Sequence, residues 1–360
     1  MVAEDYSIYE GVGMLHYSAF LLALISILWI WRRFRAIRIR GIHKICFLWI
    51  LIMPIIMFLS HANKSSDYVM TILWPLLFEI GFIMTGVEGI EMKYIRNLFI
   101  FAFLVGLYFF LQAKLQVTRY DQTNTIYFPF LTSPFLLCCK NKKLQLVILI
   151  GVSLLGIWSY KRGLFIIVFF MWLFYFWQVI KRKKNILLII GLAGVFLLGG
   201  IYTIKRIDDA SGGILTARAE ENEEDKFGRL DIYAVVLVMI DTSSADKLIV
   251  GHGHMGVRKN SPLGLSAHND VLEVIYDYGL IILLLYAALW LYVFKSMRYV
   301  VKTNSPYIMP YFCSLVIFVV MSMVSHLILY TSHFNYLVLY WGCMEGLKIR
   351  EERMLGNKLV

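Results

Sequence analysis

The chain has 360 residues, of which 59% are hydrophobic and only 16% are charged, with a formal net charge of +11. Soluble domains contain about 45–50% apolar and about 25% charged residues, so this composition excludes an ordinary soluble protein and indicates an integral membrane protein. In such a protein the excess positive charge is expected in cytoplasmic loops, and it does not indicate nucleic acid binding.

The hydrophobic segments predict about eleven membrane-spanning helices, because a helix needs about 20 apolar residues to cross a bilayer. In chain order the predicted spans are 13–31, 45–60, 68–89, 97–113, 124–139, 144–160, 163–180, 186–204, 279–294, 307–330 and 335–347. The fifth and the last are short, and the fifth contains Pro129 and Pro134. The expected fold class is all-α, a polytopic membrane helix bundle.

Unequal loop charge predicts the orientation of the chain, because Lys and Arg are enriched in cytoplasmic loops. They concentrate in the loops that follow the first, third, fifth, seventh and ninth spans and in the C-terminal segment. The N-terminus, which is too acidic for a cleavable signal peptide, and the long loop 205–278 are therefore expected outside. The predicted organisation is an N-terminal transmembrane bundle over residues 1–204, a periplasmic loop 205–278 that contains short helices, and C-terminal helices 279–360.

The outside loop contains a predicted amphipathic helix, expected to lie on the membrane surface. Its apolar side chains recur at helical spacing, at Leu230, Tyr233, Leu237 and Ile240. A glycine-rich stretch, VGHGHMG at 250–256, follows and is expected to be an irregular turn.

The stretch SAHNDVLEVIYDYG, 266–279, gathers polar residues immediately before an apolar span. One predicted helix face consists of Val271, Val274, Ile275 and Tyr278. Asp270 and Glu273 have the spacing of a helix-capping pair, which is a purely structural alternative to a role in catalysis. His268 precedes this helix, and the positive end of a helix dipole keeps an imidazole neutral and able to accept a proton.

Two further polar segments carry arginine on the same predicted side of the membrane, KRG at 161–163 and FGRLD at 227–231. A guanidinium pairs with two phosphate oxygens at once, so Arg162 and Arg229 suit a lipid-linked diphosphate. The structural alternative for KRG is a basic turn whose long side chains reach the lipid headgroups.

These motifs follow a fixed order: SYKRG at 159–163, FGRLD before a VGHG turn at 250–253, and AHND-x-LE leading to Tyr-Gly at 278–279. In this order, with a large outside loop between late spans, the chain resembles the superfamily of O-antigen ligases and O-antigen polymerases, which are bacterial envelope glycosyltransferases. The resemblance extends from about 144 to 294. It implies a GT-C-like membrane helix bundle, an undecaprenyl-diphosphate-linked glycan as donor, and neither metal ion nor other cofactor.

The resemblance also implies roles for individual residues. Arg162 and Arg229, with Lys161, would bind the donor diphosphate and stabilise it as a leaving group. His268 would be the base that activates the acceptor hydroxyl. Its ring, or the acceptor sugar, would be held by Asn269 and Asp270.

Two departures from the family pattern bear on the type of reaction. Ser266 and Ala267 stand where the ligase branch more often has His-Pro, and Ile282 stands where the family often has glycine. The first departure favours a repeat-unit polymerase over a ligase that joins the glycan to lipid A-core. The implied partners are the lipid-linked oligosaccharide, an acceptor glycan or lipid A-core, membrane lipids and a chain-length regulator. The implied location is the bacterial inner membrane, with a cytoplasmic C-terminus.

Two other interpretations stay open at this point. His252, His254 and His268 could form a metal site, because a closely spaced histidine pair with a distant third occurs in such sites. A transporter or flippase would also be basic and polytopic. It should still move its substrate when His268 is replaced, whereas an enzyme should bind its donor and fail to turn it over.

Overall fold

The computed structural model describes residues 12–33, 40–60, 65–116, 124–159, 161–183, 194, 205, 209, 228–325, 327–329 and 331–356. Across these residues the secondary structure is helical and contains no strand, as the fold class predicted. In chain order the helices are α1 (Val12–Arg33), α2 (Gly41–Leu59), α3 (Ser65–Phe82), α4 (Met92–Gln116), α5 (Tyr127–Leu131), α6 (Ser133–Leu136), α7 (Lys142–Trp158), α8 (Arg162–Lys183), α9 (Arg229–Asp241), α10 (Ala245–Val250), α11 (Gly256–Asn260), α12 (Asp270–Lys302), α13 (Ile308–Val324) and α14 (Thr331–Gly356). A π-helical turn, Ile83–Val87, continues α3, and a 3₁₀ turn, Asn124–Ile126, precedes α5.

Five segments in the described regions of the chain are long and apolar enough to cross a membrane. They are Gly41–Leu59, Val69–Val87, Met92–Leu115, Arg162–Val179 and Asp270–Lys302. Large hydrophobic side chains such as Leu51, Phe58 and Phe101 are exposed on them, as expected for surfaces that meet lipid.

The predicted span 124–139 is not a single helix. It forms α5 and α6, which have five and four residues, far fewer than the roughly 20 that cross a bilayer. Pro134 lies in the first turn of α6, where its missing N–H costs nothing. The predicted span 186–204 lies outside the described residues apart from Gly194, and the last predicted span is the middle of the longer helix α14.

The predicted surface helix is present as α9. Its buried positions are Ile232 and Val236, whereas Leu230 and Leu237 on the predicted apolar face are 79% and 54% exposed. A helix that lies on a membrane surface needs an apolar face that is not covered by protein. The location of α9 on the membrane surface stays a prediction.

The chain forms two compact units, each built from separate stretches of sequence. The first consists of Met1–Ile95, Tyr233–Ser296 and His326–Val360, and the second of Arg96–Ile232 and Met297–Ser325.

In the first unit α3 and α14 pack with their backbones in contact. A side-chain carbon built on Gly342 would lie 2.0 Å from the carbonyl oxygen of Phe78, and one on Gly346 would lie 2.2 Å from Oγ1 of Thr85. The Thr85 hydroxyl donates to the carbonyl of Cys343 at 2.7 Å. Gly342 and Gly346 therefore form a G-x-x-x-G pair, the spacing that lets membrane helices approach closely.

A buried, hydrogen-bonded pair of side chains joins α2 to α3 in the same unit. Nδ1 of His43 lies 2.9 Å from both carboxylate oxygens of Glu79, and neither side chain is exposed. The ring of Phe82 packs edge-on against His43, with centroids 4.5 Å apart. Ionisable side chains inside a membrane bundle usually face one another in this way, and this pair links α2 to α3.

The second unit is centred on α8 and α13. Phe174 stacks on Phe312 with centroids 3.7 Å apart. The indole N–H of Trp172 donates to the hydroxyl of Ser153 at 2.9 Å, which ties α8 to α7. These contacts hold the middle of α8, the helix that begins at the KRG motif.

Candidate active site

The VGHG turn and the Tyr-Gly end of the SAHNDVLEVIYDYG stretch are joined by backbone hydrogen bonds. The N–H of His252 donates to the carbonyl of Tyr276 at 3.0 Å, and the N–H of Gly253 donates to the carbonyl of Asp277 at 2.8 Å. The His252 ring also stacks on the Tyr276 ring, with centroids 4.0 Å apart. Two motifs that are distant in the sequence therefore form one local structure in the first unit.

Helix α12 is interrupted at Gly279, which has φ of 75° and ψ of −179°. The first part of α12, residues 270–278, is bonded to the VGHG turn of the outside loop. Beyond the kink the helix continues through the predicted span 279–294. The sequence predicted both segments and the boundary between them.

Three carboxylates on one face of α12 are fully buried and hold three separate backbone segments. Oδ1 of Asp270 accepts the N–H of Ile328 at 3.1 Å, and its Oδ2 accepts the hydroxyl of Tyr286 at 2.8 Å. Glu273 accepts the N–H of Ala267. Asp277 accepts the N–H groups of 255, 256 and 257, the last at 2.8 Å. The polar residues of this stretch therefore organise the loops around the start of α12.

Asn269, and not Asp270, caps this helix. Its side-chain oxygen accepts the N–H of Val271 at 3.0 Å and that of Leu272 at 3.3 Å, the bonding pattern of an N-cap. Glu273 reaches back past the cap to the N–H groups of Ala267 and His268. The capping pair predicted from Asp270 and Glu273 is thus wrong in its first member.

His268 has a left-handed backbone conformation, with φ of 52°. Such a conformation is uncommon in residues other than glycine and has to be held by its surroundings. The N–H of His268 donates to the buried Glu273, and its carbonyl accepts a long, 3.5 Å hydrogen bond from the hydroxyl of Tyr233 on α9. The side chain is partly exposed. His268 is therefore a fixed residue at the surface of the first unit.

The other two histidines of the outside loop are bonded to protein groups. Nδ1 of His252 lies 3.1 Å from the carbonyl of Tyr276, and Nδ1 of His254 contacts the hydroxyl of Tyr278. Among the residues that the structure describes, no group of three or more His, Cys, Asp or Glu side chains could hold a metal ion. The three histidines therefore do not form the metal site considered above.

His254 lies against the start of α3. Burial lowers the pKa of His254, Asp67 in the first turn of α3 opposes this fall, and Lys259 reinforces it. Helix α10 also packs on α2. The described part of the outside loop thus contacts α2 and lies near Asp67 at the start of α3.

The basic residues predicted from the sequence lie in the second unit, two of them beside Tyr127. Nζ of Lys161 lies over the Tyr127 ring, 5.9 Å from its centroid. Burial raises the pKa of the Tyr127 phenol, and the positive charge of Arg229 works against that rise. Arg162 is the exposed first residue of α8, next to Lys161. The sequence did not indicate Tyr127, which lies in an apolar run like many other aromatic residues of this chain.

A comparison with models of protein families finds a match, and the matched region contains the basic residues and His268. Residues 146–287 match the family model described as O-antigen ligase. Over these residues the chain is similar to the O-antigen ligase family. The O-antigen ligase domain contains Lys161, Arg162, Arg229 and His268, so the match confirms the resemblance to the O-antigen ligase and polymerase superfamily. None of the curated proteins searched matches the chain.

The O-antigen ligase domain and the apolar helices together define the protein at a coarse level. Its apolar helices indicate a multi-pass membrane protein, and residues 146–287 are similar to O-antigen ligases.

Proposed function

We propose that this protein is a surface-polysaccharide polymerase. It transfers an undecaprenyl-diphosphate-linked glycan onto a hydroxyl of an acceptor sugar at the outer face of the bacterial inner membrane. The observation that carries the proposal is the left-handed, partly exposed His268 inside the O-antigen ligase domain. Residues held in sparsely populated backbone conformations cluster at functional sites.

In the proposed reaction the oxygen of the acceptor hydroxyl attacks the anomeric carbon of the donor glycan while His268 takes up its proton. The bond between the anomeric carbon and the diphosphate oxygen breaks, and its electron pair leaves with the diphosphate. Arg162 and Arg229, with Lys161, bind the diphosphate and stabilise its charge. The positions of Lys161 and Arg229 beside Tyr127 support an anion-binding role for that region of the second unit.

The contacts of Asn269 and Asp270 favour one of the two roles predicted for them, which is holding the surroundings of His268. The Asn269 side chain caps α12, and the Asp270 carboxylate is buried in bonds to Ile328 and Tyr286. We assign both residues to holding the loop around His268, and neither to binding the acceptor sugar.

A deletion in the native host tests the function, with the lipopolysaccharide separated on a gel. Loss of a polymerase leaves core that carries a single repeat unit. The second candidate is a ligase, which the family description favours, and its loss leaves bare core. If the protein is instead a transporter, replacing His268 should leave substrate movement intact. A chain-length regulator acting on a polymerase should alter the ladder without abolishing it.

The proposed reaction requires no divalent cation, because His268 and the arginines supply the base and the charge stabilisation. Transfer by the purified protein should therefore persist in EDTA. Loss of transfer in EDTA with recovery on adding magnesium or zinc would contradict this aspect of the proposal.

A further inference from the structure

Two basic residues from distant motifs lie beside the same phenol in the second unit. Nζ of Lys161 lies 5.9 Å from the centroid of the Tyr127 ring, within the distance at which a cation is attracted to an aromatic face. The positive charge of Arg229, the first residue of α9, acts on the same phenol. Tyr127 itself is the first residue of α5. Three separate segments of the chain therefore meet at this side chain.

The backbone at each basic residue is held by a side chain of its own motif. In SYKRG the buried Ser159 hydroxyl accepts the N–H of Lys161 at 3.2 Å. In FGRLD the Asp231 carboxylate accepts the N–H of Gly228, the residue before Arg229, at 2.9 Å. Lys161 and Arg229 therefore extend from backbone positions that hydrogen bonds keep in place at the starts of α8 and α9.

The Tyr127 side chain has the properties of a phosphate-binding group. It is only partly exposed, so that it is enclosed by protein and still open to a ligand. Burial raises the pKa of the phenol, and the hydroxyl therefore keeps the proton that it can donate. A neutral hydroxyl adds a hydrogen bond to an anion without adding to the repulsion between Lys161 and Arg229.

We propose that Tyr127 is a further diphosphate-binding residue: its hydroxyl donates a hydrogen bond to a phosphate oxygen of the lipid-linked diphosphate held by Lys161 and Arg229, and its ring face supports the Lys161 ammonium group. The inference rests on the proposed function and deepens it by naming a neutral contact to the leaving group. The structural alternative is a tyrosine of the aromatic belt, whose hydroxyl meets only water and lipid headgroups.

Binding of undecaprenyl diphosphate to the purified full-length protein in detergent tests the proposal. Tyr127→Phe removes the hydroxyl and keeps the ring. Tyr175→Phe is the matched control, because Tyr175 is also partly exposed in the second unit and its ring packs against Trp172. Phosphatidylglycerol is the competing ligand, because its headgroup offers a single phosphate in place of a diphosphate. Melting temperature without ligand reports the folded state of each variant.

The expected result is that Tyr127→Phe raises the Kd for undecaprenyl diphosphate about 10- to 100-fold, the usual effect of one lost hydrogen bond to a charged group. Tyr175→Phe should bind as tightly as the wild type. Neither change should alter the melting temperature measured without ligand. Phosphatidylglycerol should compete weakly, and Tyr127→Phe should leave its affinity unchanged.

Three results would overturn the proposal. If Tyr127→Phe binds undecaprenyl diphosphate as tightly as the wild type, the role of Tyr127 fails, and Arg229→Lys in the same assay shows whether the diphosphate site itself stands. If phosphatidylglycerol competes on equal terms in the wild type, the basic residues bind headgroups, and the diphosphate site of the proposed function fails as well. If Tyr127→Phe loses the folded state and Tyr175→Phe keeps it, the Tyr127 hydroxyl is a structural group and only this inference fails.

Discussion

Gly251 and Gly279 approach each other so closely that neither position can carry a side chain. A carbon built on Gly279 would lie 2.2 Å from the carbonyl oxygen of Ile249 and 2.9 Å from the N atom of Gly251. One built on Gly251 would lie 2.2 Å from the carbonyl oxygen of Asp277. Both glycines also have positive φ, 83° and 75°. This approach fastens the VGHG turn to the kink of α12 and so fixes the loop that carries His268.

Gly279→Ala should destabilise the protein and lower its activity. The added methyl group overlaps the Ile249 carbonyl, and the left-handed backbone alone costs about 1–3 kcal/mol for a residue with a side chain. Melting temperature in detergent and polymer length on a gel measure the two effects. Gly151→Ala is the matched control, because nothing lies within 4 Å of that position in α7 and alanine is favoured in helices by up to about 1 kcal/mol. A Gly279→Ala protein as stable as Gly151→Ala would refute the close approach.

Gly342→Leu should separate α3 from α14. The glycine faces the Phe78 carbonyl at a distance that leaves no room for any side chain. The expected result is a large loss of folded protein in detergent, seen as a broadened or displaced size-exclusion peak. Gly41→Leu is the control, because no atom lies within 4 Å of a side-chain carbon at Gly41. A sharp, unshifted peak for Gly342→Leu would show that the two backbones are not in contact.

Arg162→Lys and Arg229→Lys should each impair transfer even though the charge is kept. Lysine loses the paired donors that match a phosphate group, and one lost hydrogen bond to a charged group costs about 1.5–3 kcal/mol. The expected fall in kcat/KM is therefore about 10- to 100-fold. Arg258→Lys is the control, because Arg258 is exposed on α11 and has no proposed role. Full activity in both test variants would reject the diphosphate role and leave the arginines as anchors at the lipid headgroups.

Cysteine labelling tests the predicted orientation. Ser244 is exposed just before α10 and is predicted outside, whereas Lys295 is exposed in α12 and is predicted on the cytoplasmic side. All five native cysteines are buried, so they should give little background. Ser244→Cys should react with an impermeant maleimide in intact spheroplasts, and Lys295→Cys should react only after permeabilisation. Protection of Ser244→Cys in intact spheroplasts would invert the topology.

The sequence predicted those features that depend on composition and periodicity. The apolar runs predicted a helical membrane protein, and the spacing of Val274 and Tyr278 predicted the helix that begins at Asp270. It could not show that 124–139 forms two short helices, because an apolar run of spanning length has the same composition whether it forms one helix or two.

The contacts that build the candidate site could not be predicted in the same way. Glu273 and Asp277 bind backbone N–H groups, which nearly every residue type carries, so no side-chain pattern marks their partners. The glycines of VGHG predicted an irregular turn, yet Gly251 is constrained by its contact with the Asp277 carbonyl. Only its proximity to Lys161 and Arg229 in the structure distinguishes Tyr127 from the other aromatic residues of the apolar runs.

The most direct test of the central claim is polymer synthesis by a His268→Gln variant. Glutamine keeps hydrogen bonding at this position but cannot take up a proton at neutral pH. A positioned base contributes about 10²–10⁴-fold to such a step. The deletion strain that carries His268→Gln, expressed at the wild-type level, should therefore show core with a single repeat unit and no long ladder. A full-length ladder from that strain would contradict the assignment of His268 as the base.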